Sequence, residues 1–557
     1  MKAPFGRIIA VFGLVTGLTA TAVMTPADGP DRPGQKAVPG PADLSGYAAP
    51  SKTAHPKIDA RLSKAARLTA ISGHESDTGG LIRVVLQTAE RFPGPAGPGR
   101  PSVIPSRIAS LGGRVELEEG FEIQALLPPA AVEFLAGDPL VSRLRLPVRP
   151  VEAAVQSEGV PRSGAQAWSD IPSFRAPEDP VKIAVLDLGF QGYQTRQGSE
   201  LPSNVVVSSF RSDGDIAAGT SHGTACAEII HDMAPEAKIY LVNFETDVEL
   251  HAAVNYLMSE KVDIVSCALV WPGAGAGNGT GPICEDVKKC AEKGILWVGA
   301  AGDDAENHWE GTFSDPNGDL FHNFSGDDAI LQWEVPAGAS TRATLSWNDW
   351  GTWTGSSYGN PTQDYDLLLW RWTGTGWELL EYCDDWQDGT PGQTPVEQSS
   401  HWTSATAAVY GVSILKFGAT INKTLEIFVQ GASAGIEFPV PAGSLGIPAD
   451  AVEALAVGAT DAESDLLEAF SSRGPTSDGR IKPDLTAFSG VSTATYGPKA
   501  FAGTSASAPH VAGAAGLLMS KTPYTSAQVR TILESRALDL GPSGKDNSYG
   551  FGRLYLK

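Results

Sequence analysis

The chain has 557 residues, of which 42% are hydrophobic and 19% are charged, and its formal net charge is −23. This length predicts several domains, and the composition is typical of a globular protein. Because the sequence contains no basic patch, the acidic balance argues against a nucleic-acid-binding protein.

The first 22 residues have the pattern of a secretory signal peptide. Lys2 and Arg7 precede an apolar run at 8–24, and small residues at 20–22 supply a cleavage motif. A membrane helix is the alternative interpretation, which the short, Gly- and Thr-rich run disfavours. Since no other segment is apolar enough to cross a bilayer, we predict a secreted or periplasmic protein with no membrane span in its mature chain.

Residues 23–78 are predicted to be a flexible lead, because Pro, Ala and Gly are frequent in their first half. Residues 79–150 predict a small α/β unit. Its strands are expected at 81–88 and 142–148, its helices at 106–111 and 129–137, and two further strands within 113–127 with a break near Gly120. That β-α-β-β-α-β order is the order of a ferredoxin-like unit.

Three later segments each place a reactive side chain at the edge of a strand or helix. The apolar run 181–189 predicts a buried parallel strand ending near Asp187, and functional residues in open α/β sheets lie at such ends. His222 opens a helix, and Ser505 lies at the mouth of a helix of small residues, whose free N–H groups would stabilise an oxyanion. Taken singly, each has a structural alternative: a capping Asp, a core His and an incidental Ser.

Residues 312–438 are predicted to form an inserted antiparallel β-sandwich. Short alternating runs separated by turn residues indicate strands at 329–335, 343–347, 365–372, 377–382, 407–415 and 424–430. Nine of the 13 Trp residues fall between positions 333 and 402, where they either form a core or bind glycan or peptide chains by stacking. Four aspartates are candidate calcium ligands, with a solvated acidic surface as the alternative: Asp315, Asp319, Asp364 and Asp366.

The chain order Asp, His, Ser, with each residue at the edge of an α/β element, resembles the subtilisin-like serine peptidases, the subtilase family. Further matching segments lie at 300–302, 470–476 and 479–485. The resemblance implies an α/β fold with a subtilisin-like parallel sheet flanked by helices, divided between residues 155–311 and 439–557. It also implies that Ser505 is the nucleophile, that His222 is the general base and then the general acid, and that Asp187 orients His222.

One departure from the family lies at the oxyanion position. The family has Asn directly after the Ala-Ala-Gly strand end, as a donor to the oxyanion, where this chain has Asp303. Losing such a donor costs about 10²–10³ in rate, a figure that comes from a subtilisin itself. Three interpretations stay open: Asp303 is protonated and favours acidic pH, the backbone N–H of Ser505 suffices with slow turnover, or the activity is lost. Asn307 lies four residues after Asp303, and it is a substitute donor only if its side chain points back toward the oxyanion position.

A second departure lies in the strand that binds substrate. In the family this strand ends Ser-Leu-Gly, and here the positions are Ala268, Leu269 and Val270. An extended substrate would pair its backbone with this edge, and Val270 would narrow the subsites near the scissile bond. The alternative is a core strand with no substrate role.

The resemblance also implies a role for the unit at 79–150. Similar peptidases carry such a prodomain, which assists folding and blocks the active site with its own C-terminal strand. We therefore predict processing near residues 148–160, and a permanent interaction domain is the alternative.

The five cysteines permit disulfides outside the cytosol. Cys284 and Cys290 are the best candidate pair, Cys226 and Cys267 are predicted to be buried core thiols, and Cys383 is unassigned.

The prediction is a secreted serine endopeptidase, made as a zymogen, that hydrolyses protein or peptide substrates through an acyl-enzyme on Ser505. Its own prodomain is the expected inhibitor, no cofactor is required for the chemistry, and structural calcium is left open. The rival from another class is a weak or inactive subtilisin-like binding protein that uses the Trp-rich sandwich. A glycan-binding surface protein rests on the Trp cluster alone.

Overall fold

The structure is a computed structural model that describes residues 55–72, 80–92, 103–148, 151–152, 158–169 and 171–557. All of these residues belong to one structural unit. The predicted signal peptide and the first part of the predicted lead lie outside them. Within the described ranges, no helix combines the length and the apolar character that crossing a bilayer requires.

An N-terminal unit, residues 58–148, contains a three-stranded antiparallel sheet in the order β2-β1-β3. Its elements are α1 Ala60–Ser72, β1 Ile82–Phe92, α2 Val103–Ser110, β2 Arg114–Leu127, α3 Pro129–Ala136 and β3 Val141–Arg145. Alternate residues of β1, Val84 and Leu86, pack with Ile108, Leu135 and Leu62 in one apolar core. The face of β1 that is formed by alternate residues therefore packs against this core.

Two predictions for this unit need correction. The lead predicted at 23–78 contains helix α1, which forms because Leu62 is fully buried in the core of the unit. The two strands predicted within 113–127 are the single strand β2, and the sheet therefore has three strands instead of four. Gly120, at φ +59°, lies where the β1–β2 register shifts, so the expected break is an irregularity within one strand.

The first part of the peptidase domain supplies most of a parallel sheet. Its elements are β4 Val151–Glu152, α4 Val160–Ser163, α5 Gln166–Ser169, β5 Lys182–Asp187, α6 Tyr193–Arg196, β6 Val206–Ser209, α7 His222–Met233, β7 Lys238–Asn243, α8 Asp247–Glu260, β8 Ile264–Cys267, β9 Leu269–Val270, α9 Pro282–Glu292 and β10 Leu296–Ala300. Most of these strands are short apolar runs, buried along much of their length, as expected in a sheet covered on both faces.

The insertion forms two antiparallel sheets. Its strands are β11 His308–Thr312, β12 Leu331–Val335, β13 Ser340–Trp347, β14 Asp366–Trp372, β15 Trp377–Cys383, β16 Val396–Gln398, β17 Trp402–Thr403, β18 Ala408–Leu415 and β19 Thr424–Gln430. One sheet has the order β11-β19-β13-β16, with β17 also on β13, and the other has the order β12-β18-β14-β15. All six predicted strands are present, which confirms the sandwich.

Five of the nine Trp residues of the sandwich belong to its apolar clusters: Trp333, Trp347, Trp370, Trp377 and Trp402. Four of the nine are buried and five are half-buried. Trp333 and Trp347 lie in the main apolar cluster between the two sheets. The clustered Trp residues support the core interpretation, and none of the nine is fully exposed.

The second part of the peptidase domain completes the parallel sheet. It contains β20 Leu455–Asp461, β21 Leu485–Ser489, β22 Val491–Thr493, β23 Gly497–Phe501, α10 Thr504–Lys521 and α11 Ser526–Arg536. The seven strands follow the order β21-β20-β10-β8-β5-β7-β6, and every neighbouring pair is parallel. This sheet, flanked by helices, confirms the predicted α/β fold class.

The predicted disulfide is wrong in this structure. All five cysteines are free and buried, which agrees with the prediction for Cys226 and Cys267. Cys284 and Cys290 lie six residues apart on α9, a rise of about 9 Å, which is too long for a disulfide bridge. The Sγ of Cys284 instead donates to Oδ1 of Asp450 at 3.4 Å.

The predicted calcium ligands do not converge on one point. Oδ1 of Asp315 accepts the N–H groups of Gly318 and Asp319 at 2.7 and 3.1 Å, so this carboxylate closes its own turn. Across the described ranges, the one group of three His, Cys or carboxylate side chains close enough to hold an ion lies elsewhere, at the predicted triad. A calcium site in the sandwich stays a prediction.

Candidate active site

Ser505 is the second residue of α10, a helix that is buried along its whole length. Small residues permit this burial: a Cβ placed on Gly513 would lie 2.5 Å from the Cβ of Met233. Gly503, at φ +90°, turns the chain into the helix just before the serine. The first N–H groups of the helix therefore lie beside the Ser505 hydroxyl, and they have no intrahelical acceptors.

Cys226 supplies the hydrogen bond that the carbonyl of Ser505 does not receive within its own helix. Pro509 has no N–H, so the carbonyl of Ser505 lacks the donor that a helix normally supplies from four residues on. The Sγ of Cys226 donates to that carbonyl at 3.5 Å and lies 3.9 Å from Nδ1 of His222. The thiol thus contacts both the serine's main chain and the imidazole.

Asp187 and His222 form a fully buried pair. Nδ1 of His222 lies 2.7 Å from Oδ2 of Asp187, and Oδ1 of Asp187 accepts the N–H of Leu188 at 2.8 Å. This approach requires Gly223, because a Cβ there would lie 2.7 Å from the Cβ of Asp187. Burial opposes the charged imidazole, but the carboxylate of Asp187 raises the pKa of His222 well above its usual value.

The hydroxyl of Ser505 is not bonded to His222 in this structure. Its Oγ donates to the carbonyl of Ala268 at 3.1 Å. Within the described part of the chain, Nε2 of His222 is buried and has no hydrogen-bond partner. Because catalytic hydrogen bonds are often formed only with substrate, the open Nε2 suits a base that accepts the Ser505 proton after rotation of the hydroxyl.

Asp303 lies beside the helix start that carries the serine. Its Oδ1 accepts the N–H of Thr504 at 2.8 Å and the hydroxyl of Thr504 at 2.7 Å. Its Oδ2 is shielded from solvent and has no partner among the described residues. Burial raises the pKa of Asp303 to about 7, against the lowering effect of the Thr504 bonds. Below that pH the carboxyl is neutral, and the unpartnered oxygen is able to carry and donate a proton.

The two other polar residues near this position are bonded to other segments of the chain. The carbonyl of Asn307 accepts the N–H of Val429, at the sandwich. The N–H of Asp304 donates to Oγ of Ser472 at 3.0 Å, and burial raises the pKa of Asp304 to about 6. No hydrogen bond joins Asn307 to Ser505 within the described ranges, which gives no support to Asn307 as the substitute donor.

The predicted substrate strand forms an edge that already pairs with an extended segment. β4 runs antiparallel to β9, with Val151 opposite Val270 and Glu152 opposite Leu269. Val270 is buried, and a Cβ on Gly446 would lie 2.4 Å from its Cβ, so the valine packs directly on that backbone. The edge therefore accepts a strand, and Val270 fills space beside it.

One group of side chains has the spacing of metal ligands. Donor atoms of Asp187, His222 and Cys226 lie within 4.8 Å of one another. An ion at this point would compete for the imidazole that Asp187 holds, so the group does not suit a resident cofactor of the triad chemistry.

The structure brings the three catalytic candidates together, since Asp187 and His222 are in contact and Cys226 links His222 to the backbone of Ser505. Sequence reasoning missed the role of Cys226. Its position four residues after His222 on a helix was the available signal, because such residues share a helix face.

Comparisons with known proteins agree with this geometry. The Peptidase_S8 profile, described as the subtilase family, matches residues 350–552, a range that includes Ser505 and lies beyond Asp187 and His222. Subtilisin E of Bacillus subtilis (strain 168) is 38% identical over 146 residues, which cover 24% of this chain and 35% of that protein. Subtilisin of Bacillus pumilus is 39% identical over 136 residues, covering 23% of this chain and 47% of that protein. The chain thus spans between about a third and a half of the length of these relatives.

Among solved structures, that of the Clostridium perfringens CspB protease aligns with a TM-score of 0.49 at 17% identity, over 72% of this chain and 96% of that one. The profile match, the subtilisin relatives and the arrangement of Asp187, His222 and Ser505 point the same way: over the matching segments, this chain is similar to the subtilases, the subtilisin-like serine peptidases.

Proposed function

We propose that this protein is a secreted serine endopeptidase that cleaves protein or peptide substrates through an acyl-enzyme on Ser505. The observation that carries the proposal is the buried Asp187–His222 pair, whose open Nε2 belongs to the same site as the serine. The Ser505 oxygen attacks the substrate carbonyl while Nε2 takes its proton. The imidazolium then protonates the leaving amine, and water releases the acyl group by the same route in reverse.

Asp303, in its neutral form, is the proposed side-chain donor to the oxyanion. The N–H of Ser505 supplies the other donor from the start of α10. The unpartnered Oδ2 of Asp303 and a pKa of about 7 support this role. The base must be neutral and Asp303 must be protonated, so the rate rises with pH as His222 loses its proton and falls as Asp303 ionises.

The N-terminal unit is the proposed prodomain and inhibitor. The β4–β9 pairing puts the chain that follows this unit on the substrate edge. The unit also bonds to α8: Nε2 of Gln124 donates to Oε1 of Glu249 at 2.8 Å, and Nη1 of Arg145 donates to Oδ1 of Asp247 at 3.2 Å. A peptide held on the edge by a docked unit would exclude other substrates.

The β4–β9 register also predicts the processing site. β4 ends at Glu152, opposite Leu269, and the residue before Leu269 is Ala268, whose carbonyl accepts the Ser505 hydroxyl. Residues 153 and 154 lie outside the described ranges. We predict self-cleavage between Ala153 and Ala154, inside the range 148–160 expected from the sequence.

Mass spectrometry of the purified chain and of Ser505→Ala tests the proposed activity. The proposal expects a new N-terminus at Ala154 in the wild type and an intact Ser505→Ala chain. Ser507→Ala is the matched control, because the Ser507 hydroxyl lies on the same helix and donates to the carbonyl of Ala487. An uncut wild type, or equal cutting of the Ser505→Ala chain, would contradict self-processing.

The rival function is an inactive binding protein on the same fold. Asp303 is the observation that favours it, since an ionised carboxylate beside the nucleophile repels the developing charge. None of the nine Trp residues that would supply its binding platform is fully exposed, and Trp333 and Trp347 lie in the apolar cluster between the two sheets. A wild-type protein whose Ser505 fails to react with a fluorophosphonate at every pH, after removal of the N-terminal unit, would favour this rival.

A further inference from the structure

The N-terminal unit contacts the inserted sandwich as well as the peptidase domain. The sandwich side of this contact is one stretch, residues 381–402, which runs from the end of β15 to the start of β17. This acidic segment contains five Asp or Glu residues and no Lys or Arg. The side chains that reach it from the N-terminal unit are cationic: Arg61, Lys64 and Arg143.

Lys64 of α1 makes the ion pair of this contact. Its Nζ lies 2.9 Å from Oε1 of Glu381 and 5.5 Å from the centre of the Trp402 ring. Glu381 is almost fully buried and also accepts bonds from the indole of Trp402 at 2.7 Å and the hydroxyl of Ser400 at 2.8 Å. Burial opposes its charge, but the bonds from Trp402 and Lys64 lower the pKa of Glu381. The carboxylate is therefore fixed and ionised opposite the lysine.

Two arginines extend the contact over the rest of the acidic segment. Nη1 of Arg143 donates to the carbonyl of Gly392 at 2.7 Å and to the hydroxyl of Thr394 at 3.1 Å. Nη1 of Arg61 donates to Oε1 of Gln398. The N–H of Ala60, at the start of α1, donates to Oδ1 of Asp385. Both α1 and β3 of the N-terminal unit are thus bonded to the sandwich.

None of these bonds involves the residues between the N-terminal unit and the peptidase domain, so cutting the chain there leaves all of them in place. The α8 contacts and the sandwich contacts lie on the same N-terminal unit and are made by different residues. When two contacts are joined on one folded unit, the loss of either is an intramolecular, rapidly reversible event, and release requires both to open together.

We propose that the inserted sandwich is a second binding site for the N-terminal unit, and that its acidic segment retains this unit on the peptidase after the chain is cut. The inference deepens the proposed function, on which it rests for the inhibitory role of the unit. The sandwich then sets how long the cleaved enzyme stays inhibited, and neutralising or cutting the acidic segment releases the inhibitor.

The experiment measures the dissociation rate of the cut chain. The full-length Ser505→Ala variant receives a recognition sequence for an unrelated peptidase between Glu152 and Glu158 and is cut there. Release of the N-terminal unit is then followed by size-exclusion chromatography after dilution. Lys64→Ala and Glu381→Gln, each added to this background, are expected to speed release about tenfold, and the double variant should release no faster than the faster single variant.

The matched control is Arg114→Ala, which removes one positive charge from an exposed side chain of the N-terminal unit. It should release at the parental rate. Parental rates for Lys64→Ala and Glu381→Gln, or effects that multiply in the double variant, would overturn the proposal. Because the cut is made by an added peptidase on a chain without its nucleophile, an inactive wild-type enzyme would refute the proposed function and leave this result unchanged.

Discussion

On the His222 side of Ser505, both oxygens of Asp187 have partners, the imidazole at 2.7 Å and the N–H of Leu188 at 2.8 Å. On the other side, Asp303 uses one oxygen for two bonds from Thr504 and leaves Oδ2 shielded and unpartnered among the described residues. Two buried carboxyl groups of one active site are thus satisfied in different ways.

The difference shows how environment assigns opposite tasks to the same side chain. A cationic partner stabilises the charged form of a buried carboxyl, as His222 does for Asp187 during proton transfer. Without such a partner, burial raises the pKa of Asp303 to about 7 and favours the neutral, donating form. In the proposed mechanism, one aspartate therefore serves as an anion and the other as an acid.

The substitution Asp187→Asn is expected to have the largest effect on the rate, because it removes the negative charge beside His222. The amide keeps the shape of the carboxyl but cannot stabilise an imidazolium, so kcat should fall about 10⁴-fold. Peptide hydrolysis at fixed pH measures it, with circular dichroism to verify the fold. A fall of less than tenfold would show that Asp187 is not needed as an anion.

The matching substitution at the other aspartate is Asp303→Asn. At high pH it is expected to raise the rate of peptide hydrolysis instead of lowering it. The amide donates at every pH, so hydrolysis at a pH two units above 7 should rise up to about 10²-fold, since about 1% of Asp303 is still protonated there, while the rate well below 7 should change little. Equal rates for the two proteins at high pH would remove Asp303 from the oxyanion site.

Val270→Gly tests how far the valine side chain narrows the substrate subsites beside β9. Removing the side chain that packs on Gly446 opens space beside the edge, and peptides with a large residue near the scissile bond should gain about 10- to 100-fold in kcat/KM. Peptides with alanine there are the internal control and should gain little. An equal gain for both peptides would indicate a general effect on the strand.

Cys226→Ala is the smallest expected change. The thiol donates one weak bond to the carbonyl of Ser505, while Asp187 holds the imidazole, so the rate should fall less than about tenfold. The pH profile should keep its shape. A new profile would mean that the thiol, and not Asp187 alone, sets the state of His222.

The elements that carry the triad residues and the strands of the sandwich could be predicted from the sequence, because each depends on a local pattern. Apolar runs ending in Asp187 or opening at His222 specify strand ends and helix starts, and six alternating runs specify the sandwich. Helix α1 was not readable, because it is stabilised by Leu62 packing against elements far along the chain. The contact of Lys64 with Glu381 links residues more than 300 positions apart, and no local pattern encodes it.

The chemistry of the proposed oxyanion donor could be predicted only in part from the sequence. The sequence showed an acid at position 303, but its protonation depends on which groups surround it in the fold. Burial and the single pair of bonds from Thr504 decide that state, and both arise from the approach of α10 to the loop after β10.

The pH dependence of fluorophosphonate labelling at Ser505, from pH 4 to 9, tests whether a protonated Asp303 donates to the oxyanion. It is measured on the protein freed of its N-terminal unit, beside Ser505→Ala as the blank and Asp303→Asn. We predict that wild-type labelling rises as His222 loses its proton and then falls at alkaline pH, where Asp303 is ionised, and that Asp303→Asn removes this fall. Wild-type labelling that keeps rising to pH 9, with the same profile in Asp303→Asn, would contradict a protonated Asp303 as the oxyanion donor.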